Sequence, residues 1–229
     1  MRLSIIIPAY NEGGTIREVL ARVGAVAYPV EHEVLVVDDA STDRTAAVLA
    51  GPDVPGPSLR VFVNPENLGK GSSVRRGLEH ALGDIVIVQD ADLELDPADI
   101  PALVRPIVEG RADAVYGSRF LTRRWPEKMA FPNWAANRLL TALANALYGA
   151  RLTDVSCGYK AVRTGLLKSL GLECRRFELC FEVTAKLRRR GVRILEVPIS
   201  FTARTRKEGK KIGTADFFEA VWTLLKNKF

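Results

Sequence analysis

Five short runs in the first half of the chain, residues 3–8, 33–38, 59–63, 84–90 and 112–116, are rich in valine and isoleucine and nearly continuous in apolarity. They read as strands buried on both faces, the mark of a parallel sheet. Helical patterns separate them: residues 15–26 after the turn Asn11-Glu12-Gly13-Gly14, 43–49 behind a Ser41/Thr42 cap, 71–82, and 97–109 with Asp96 as N-cap. Alternating strand and helix predict βαβ units and a doubly wound α/β sheet, in which ligands sit beyond the carboxyl ends of the strands. After about Ser118 the alternation fades into a basic loop (119–128), helices over 133–148 and 178–190, a strand over 192–199, a second basic loop and a terminal helix. That half is expected to receive a second substrate.

The length, 229 residues, suits one large domain, and 47% hydrophobic with 26% charged residues excludes disordered, fibrous and disulfide-scaffold classes. A net charge of +6 calls for an acidic partner: nucleic acid, anionic lipid or a phosphorylated small molecule. Cys157, Cys174 and Cys180 are odd in number and form no CxxC pair, which disfavours both a disulfide framework and a thiolate zinc site and fits a reducing cytosolic compartment. The amino terminus enters a strand at once and meets Pro8, unlike a secretion signal. The longest helical apolar region, residues 135–150, is interrupted by Asn137, Arg138 and Asn145 and falls short of the roughly 20 residues a span needs. A cytoplasmic chain that does not cross a membrane is expected.

The strand ends carry the chemistry. Strand one runs into Pro8-Ala9-Tyr10-Asn11-Glu12, strand two into Asp38-Asp39, and strand four into Asp90-Ala91-Asp92-Leu93-Glu94. Carboxylates from three strands on one edge repel unless a cation or hydrogen-bond donors compensate. Asp90-x-Asp92 suits a hard divalent ion, since Mg²⁺ or Mn²⁺ is held by one or two carboxylates and completed by substrate phosphates. Taken singly, Asp38, Asp39 and Asp96 also read as caps and turn residues. Asn67-Leu68-Gly69-Lys70-Gly71 opens a helix and admits two readings, a phosphate cradle around Lys70 or an ordinary strand-to-helix loop. Arg119 ends strand five, where it can pair with phosphate, with a carboxylate of the cluster, or with solvent. Residues 204–212 form a basic loop containing Arg204 and Lys210, and His32 and His80 lack ligand-spaced partners.

Together these motifs resemble the family 2 glycosyltransferases of GT-A fold, most closely the polyprenyl-phosphate (dolichol-phosphate) mannosyl- and glucosyltransferases. The resemblance runs from Ser4-Ile5-Ile6-Ile7-Pro8-Ala9-Tyr10-Asn11-Glu12 through Val37-Asp38-Asp39, Gly69-Lys70-Gly71, Asp90-Ala91-Asp92 and Gly117-Ser118-Arg119 to Glu208-Gly209-Lys210-Lys211. It implies a GT-A (Rossmann-like), mostly parallel sheet flanked by helices. It also implies that Pro8, Tyr10, Glu12 and one of Asp38/Asp39 hold base and ribose, with Asp90 and Ala91 adding nucleotide contacts. Asp92 would be the metal ligand, with Glu94 standing where some relatives carry a glutamine as a second ligand. Arg119 would lie near the diphosphate and sugar, with Arg204 and Lys210 on a loop closing over the donor.

The implied reaction is an inverting, metal-dependent transfer from a nucleotide-diphosphate sugar, GDP-mannose or a UDP-sugar, to a polyprenyl phosphate. A phosphomonoester is already anionic near neutral pH, so no general base is required, whereas a hydroxyl acceptor needs a carboxylate to take its proton. Many family relatives with hydroxyl acceptors supply it from a Glu-Asp or Asp-Asp pair, where this chain has Phe177-Glu178-Leu179-Cys180-Phe181-Glu182, a departure that favours phosphate. The catalytic domain is expected over residues 1–213, its nucleotide-sugar half ending near 118, with an amphipathic helix over 214–229. That helix gathers Phe217, Phe218, Val221, Trp222, Leu224 and Leu225, either to lie on a membrane surface or to pack on the core. Lys186, Arg188, Arg189 and Arg190 are available to anionic head groups. A nucleic-acid-binding protein is the rival from another class, and the acidic strand ends count against it.

Overall fold

The computed structural model describes residues 1–51, 59–122, 125–126, 128–203 and 213–228. The first half follows the expected alternation: β1 (Arg2–Ala9), α1 (Ile16–Ala25), β2 (Glu31–Asp38), α2 (Thr45–Leu49), β3 (Leu59–Val63), α3 (Lys70–His80), β4 (Ile85–Val88), α4 (Ile100–Val108) and β5 (Ala114–Ser118). The second half adds α5 (Phe131–Tyr148), β6 (Lys160–Arg163), α6 (Thr164–Ser169), α7 (Leu179–Arg189), β7 (Ile194–Pro198) and α8 (Thr214–Lys226). The strands form one sheet in the order β3-β2-β1-β4-β6-β5-β7. All neighbouring pairs are parallel except those made by β6, which runs antiparallel to both β4 and β5.

The continuous apolarity of the strands is explained by two buried layers. On β1, Leu3, Ile5 and Ile7 belong to the layer that also holds Ile16 and Val19 of α1 and Leu103 and Val104 of α4, while Ile6 belongs to the opposite layer with Val74 and Leu78 of α3. Tyr116, Val162, Ala144, Phe181 and Leu224 continue that second layer under α5, α7 and α8. At about 25 cal/mol per Å² of apolar surface removed from water, burial on both faces is the main force holding the sheet together.

Two local readings need correction. β6 and α6 were not anticipated, because Lys160-Ala161-Val162-Arg163 is bounded by charges and carries no apolar run. Lys160 is nevertheless buried, its Nζ donating to the carbonyls of Val155 (2.9 Å) and Cys157 (2.6 Å) and lying 4.2 Å from the Tyr116 ring centre. Ser41 and Thr42 do not cap α2: Asp43 Oδ1 accepts the Thr45 amide, while Ser41 and Thr42 bind Asn11. Asp96 does cap its turn, accepting the Ala98 amide at 3.0 Å.

The terminal helix divides its apolar residues between two stripes rather than one face. Ala220 and Leu224 are buried and Phe217 and Val221 partly so, against α5 and α7, whereas Phe218 (70% exposed), Trp222 (65%) and Leu225 (40%) point outward. Tyr148 Oη donates to the Leu224 carbonyl at 2.5 Å, pinning α8 to α5. The cations at the end of α7 all engage the protein's own groups. Lys186 binds Glu182 and the Gly171 carbonyl, Arg188 the Val192 and Gly149 carbonyls, Arg189 the Asn227 carbonyl, and Arg190 Ser169.

Candidate active site

The carboxyl ends of β1, β2, β4 and β5 open onto a cavity of about 740 Å³. Pro8 lines it from the end of β1, Tyr10 and Glu12 from the β1–α1 loop, Asp39 from just after β2, and Lys70 from the start of α3. Asp90, Ala91, Asp92 and Glu94 line it from the loop after β4, and Arg119 from the end of β5. Asp38 does not reach it. Buried at the last position of β2, it accepts the Ser41 amide at 3.1 Å and holds the turn. Arg204 and Lys210 lie outside the described residues.

The loops around the rim are strained. Asn11, Ala40 and Leu93 adopt φ of 52°, 57° and 61°, a region that costs non-glycine residues on the order of 1–3 kcal/mol. Asn11 is compensated: its Oδ1 accepts the Thr42 and Asp43 amides and its own amide donates to Ser41 Oγ, joining the first two strand-end loops.

Asp39 organises the next loop. Its Oδ1 accepts from Asn64 Nδ2 at 2.6 Å and from the Leu68 amide at 3.1 Å, and its Oδ2 from the Gly69 amide at 2.7 Å. Gly69 has φ of 91°, and a Cβ there would lie 2.5 Å from the Arg175 carbonyl oxygen, so only glycine fits. This turn starts α3 and aims Lys70 into the cavity, where its ammonium forms an ion pair with Asp90 Oδ1. Burial alone would lower the Lys70 pKa. The Asp90 charge, with Cys180 and Asp92 farther out, outweighs it and leaves the pKa raised, so the side chain is a permanent cation. Across the cavity Gly158 admits Asp90: a Cβ there would stand 2.7 Å from Asp90 Oδ2.

Asp92 Oδ1 accepts the Glu94 amide at 3.1 Å, and both side chains line the cavity. Among the described residues no three His, Cys, Asp or Glu side chains are grouped to hold an ion alone. That donor set, two carboxylates beside a cavity with Asp90 already engaged, fits a hard divalent cation completed by ligand phosphates and argues against an all-protein metal cage.

Arg119 pairs with a residue not anticipated from sequence. Asp154, fully buried, accepts from Arg119 Nε at 2.7 Å, Nη2 at 2.8 Å and the Arg119 amide at 3.1 Å. The guanidinium carbon lies 5.0 Å from the Phe201 ring centre and 5.6 Å from that of Phe120. Of the alternatives open for Arg119, the partner is thus a carboxylate outside the strand-end cluster.

Away from the strand ends the lining gathers Met129, Leu140, Phe177, Phe181, Phe217, Phe218 and Ala220, interspersed with Asn133, Asn137 and Asp216. Of the acids on α7 and α8, only Asp216 is part of this lining, while Glu178 and Glu182 lie outside it and hold backbone. Glu182 accepts the Glu173 and Cys174 amides and Lys186 Nζ; burial pushes its pKa up, but these donors more than offset that and hold it below the usual range. Glu178 accepts the Arg175 and Arg176 amides, and Asp216 the Gly213 amide. Asp154 and the apolar lining escaped sequence reading. The available signal for Asp154 was Thr153-Asp154-Val155-Ser156-Cys157-Gly158, a polar stretch ending in glycine between a long helix and an apolar segment.

The Glycosyl transferase family 2 model matches residues 4–171. The undecaprenyl-phosphate mannosyltransferase of Micrococcus luteus is 35% identical over 226 residues, covering 93% of this chain and 88% of that protein. The dolichol-phosphate mannosyltransferase of Pyrococcus furiosus is 29% identical, covering 99% of this chain but only 64% of the relative, so the chain spans less than two thirds of that protein. Among solved structures, glucosyl-3-phosphoglycerate synthase from Mycobacterium tuberculosis with Mn²⁺, UDP-glucose and phosphoglyceric acid superposes with a TM-score of 0.73 at 25% identity, covering 99% of this chain and 79% of that one. Sheet order, an acidic strand-end cavity and a matched segment of this length converge: the chain belongs to the family 2 glycosyltransferases and has their GT-A fold.

Proposed function

We propose that this chain transfers a sugar from a nucleotide-diphosphate sugar to a polyprenyl phosphate, with inversion at the sugar carbon. The observation that carries the acceptor is the unequal lining of the cavity: charged side chains converge at the strand ends, whereas Met129, Leu140, Phe181, Phe217 and Ala220 gather around α5, α7 and α8, where the lining acid Asp216 is engaged by the Gly213 amide. A carboxylate engaged in this way is poorly placed to deprotonate a hydroxyl, and a phosphate acceptor needs no such base. The mannosyltransferases of Micrococcus luteus and Pyrococcus furiosus, named for undecaprenyl and dolichol phosphate, support the same class.

In this reading Pro8, Tyr10, Glu12 and Asp39 surround the nucleoside, and the ion pair with Lys70 orients Asp90 beside it. Asp92 and Glu94 hold Mg²⁺ or Mn²⁺, which when bound neutralises charge on the diphosphate. Arg119 adds a fixed guanidinium next to that charge, and Arg204 and Lys210 complete the cationic side from the basic loop. The acceptor phosphate enters with its first apolar carbons against Phe177, Phe181 and Phe217, and its oxygen attacks the sugar from the face opposite the leaving diphosphate.

No helix among the described residues is long and apolar enough to cross a membrane. Phe218, exposed and also at the edge of the cavity lining, continues outward into Trp222 and Leu225, which supports peripheral docking at a bilayer with the cavity mouth toward the lipid. The glucosyl-3-phosphoglycerate synthase likeness favours a second reading, a small phosphorylated acceptor with a hydroxyl nucleophile. The deciding assay offers UDP- and GDP-sugars with Mg²⁺ or Mn²⁺ and, in parallel, a polyprenyl phosphate, the corresponding alcohol and phosphoglyceric acid. Product on the lipid phosphate alone is expected; product only on a hydroxyl overturns the acceptor assignment.

A further inference from the structure

Residues 152–157 form an irregular buried loop between α5 and β6, and its backbone is held by side chains rather than by neighbouring strands. Asn145 from α5 accepts the Leu152 amide (3.0 Å) and donates to the Leu152 carbonyl (2.8 Å), and Thr141 accepts the Val155 amide (3.2 Å). Glu196 from β7 accepts the amides of Thr153 (2.8 Å) and Asp154 (3.0 Å), while Lys160 takes the carbonyls of Val155 and Cys157. This scaffold sets the Asp154 carboxylate behind the cavity wall, clamped on Arg119, which does line it. A buried ion pair is on average no more stabilising than an apolar replacement, so stability alone does not account for two acids, Asp154 and Glu196, placed behind one arginine.

We propose that Asp154 is a positioning residue: it fixes the Arg119 guanidinium in one orientation, occupying Nε and one Nη2 hydrogen and leaving the remaining donors for a phosphate oxygen in the cavity. Arg119 Nη1 makes no hydrogen bond to a described residue, and the Phe201 and Phe120 rings limit its other rotations. The inference deepens the transferase reading, on which its kinetic test rests, and a binding test stands apart from it.

Steady-state transfer and calorimetric binding of inorganic pyrophosphate are measured for wild type, Asp154→Asn, Arg119→Ala and the double variant, with melting curves to confirm folding. Asp154→Asn is expected to lower kcat about 10- to 100-fold, since a misdirected catalytic contact costs that much. Added to Arg119→Ala it should cost no more than about twofold further, because both changes remove one unit. Asp154→Glu, which keeps the charge, should recover part of the loss. Wild-type kcat in Asp154→Asn, or losses that multiply in the double variant, overturn the assignment while leaving the transferase reading intact. If Asp154→Asn does not fold, Arg119→Lys decides: it keeps the ion pair but not the fork, and unchanged kcat there also overturns it. A wild-type chain that binds pyrophosphate but transfers no sugar, with binding weakened about tenfold in Asp154→Asn, keeps the positioning role and overturns the function instead. A wild-type chain that does neither overturns both.

Discussion

Asp90 and Asp92 stand two residues apart and have different surroundings. Asp90 is opposed by Lys70 and pressed against Gly158, whereas Asp92 faces the cavity beside Glu94. Different outcomes follow for their neighbours. Asp92→Ala should leave the melting temperature within a few degrees of wild type and reduce metal-dependent turnover by about 100-fold or more, since a metal supplies several kcal/mol of charge stabilisation. Wild-type turnover in that variant would remove Asp92 from metal binding. Lys70→Met should weaken nucleotide binding by about 1–3 kcal/mol, the cost of leaving a charge-assisted partner unpaired, read as a rise in the calorimetric Kd. An unchanged Kd would reduce Lys70 to a residue of the strand-to-helix turn, the other reading its sequence context allowed.

At the scale of elements, α8 shows how one amphipathic pattern divides. The apolar residues over 217–225 are dense enough to fill two stripes, and the inner one, Ala220 and Leu224, is part of the core. Deleting the helix would therefore uncover α5 and α7, and the informative change is on the outer stripe. Trp222→Ser with Leu225→Ser is expected to abolish flotation with anionic liposomes while shifting the melting temperature by only a few degrees. Flotation equal to wild type would remove the outer stripe from membrane docking. In the first half, Leu103 is fully buried on α4, which packs over β4, β5 and β6, and Leu103→Ala should destabilise the fold by about 2–5 kcal/mol in urea titration.

Across the whole molecule, charge is arranged by position. The strand-end edge carries the carboxylates of the cavity, while at the opposite edge Glu33 ties three strands together. It accepts from Ser4 of β1 at 2.6 Å, from Arg60 of β3 at 2.6 Å and from the Leu82 amide at 2.7 Å. Burial pushes the Glu33 pKa up, but Ser4, Leu82 and Arg60 together hold it below its ordinary 4.5. A depressed carboxylate contributes stability that is complete above its unfolded value and lost as the pH falls through the folded one. Stability should therefore decline as the pH drops below about 4.5, and Glu33→Gln should flatten that acid limb in urea titrations between about pH 6 and pH 3. An acid limb of equal slope in the variant would assign the loss to other carboxylates.

Read locally, the chain determined its first half almost completely, with β3 matched end to end and β1, β2 and α1 to within two or three residues. The strand-end carboxylates were also legible, because valine-rich runs mark their own ends and side chains at those ends must face the ligand edge of a parallel sheet. Tertiary structure decided what depends on partners distant in sequence. Lys160 is polar and its strand is four residues long, so nothing local marks β6; carbonyls and a tyrosine ring supplied by the fold make its burial tolerable. Arg119 and Asp154 lie 35 residues apart and Lys70 and Asp90 20 apart, and no local pattern couples them. Periodicity reports which face of an element is buried, since that is a property of neighbouring residues. Which charge meets which is settled only when the sheet brings the loops together and removes the water between them.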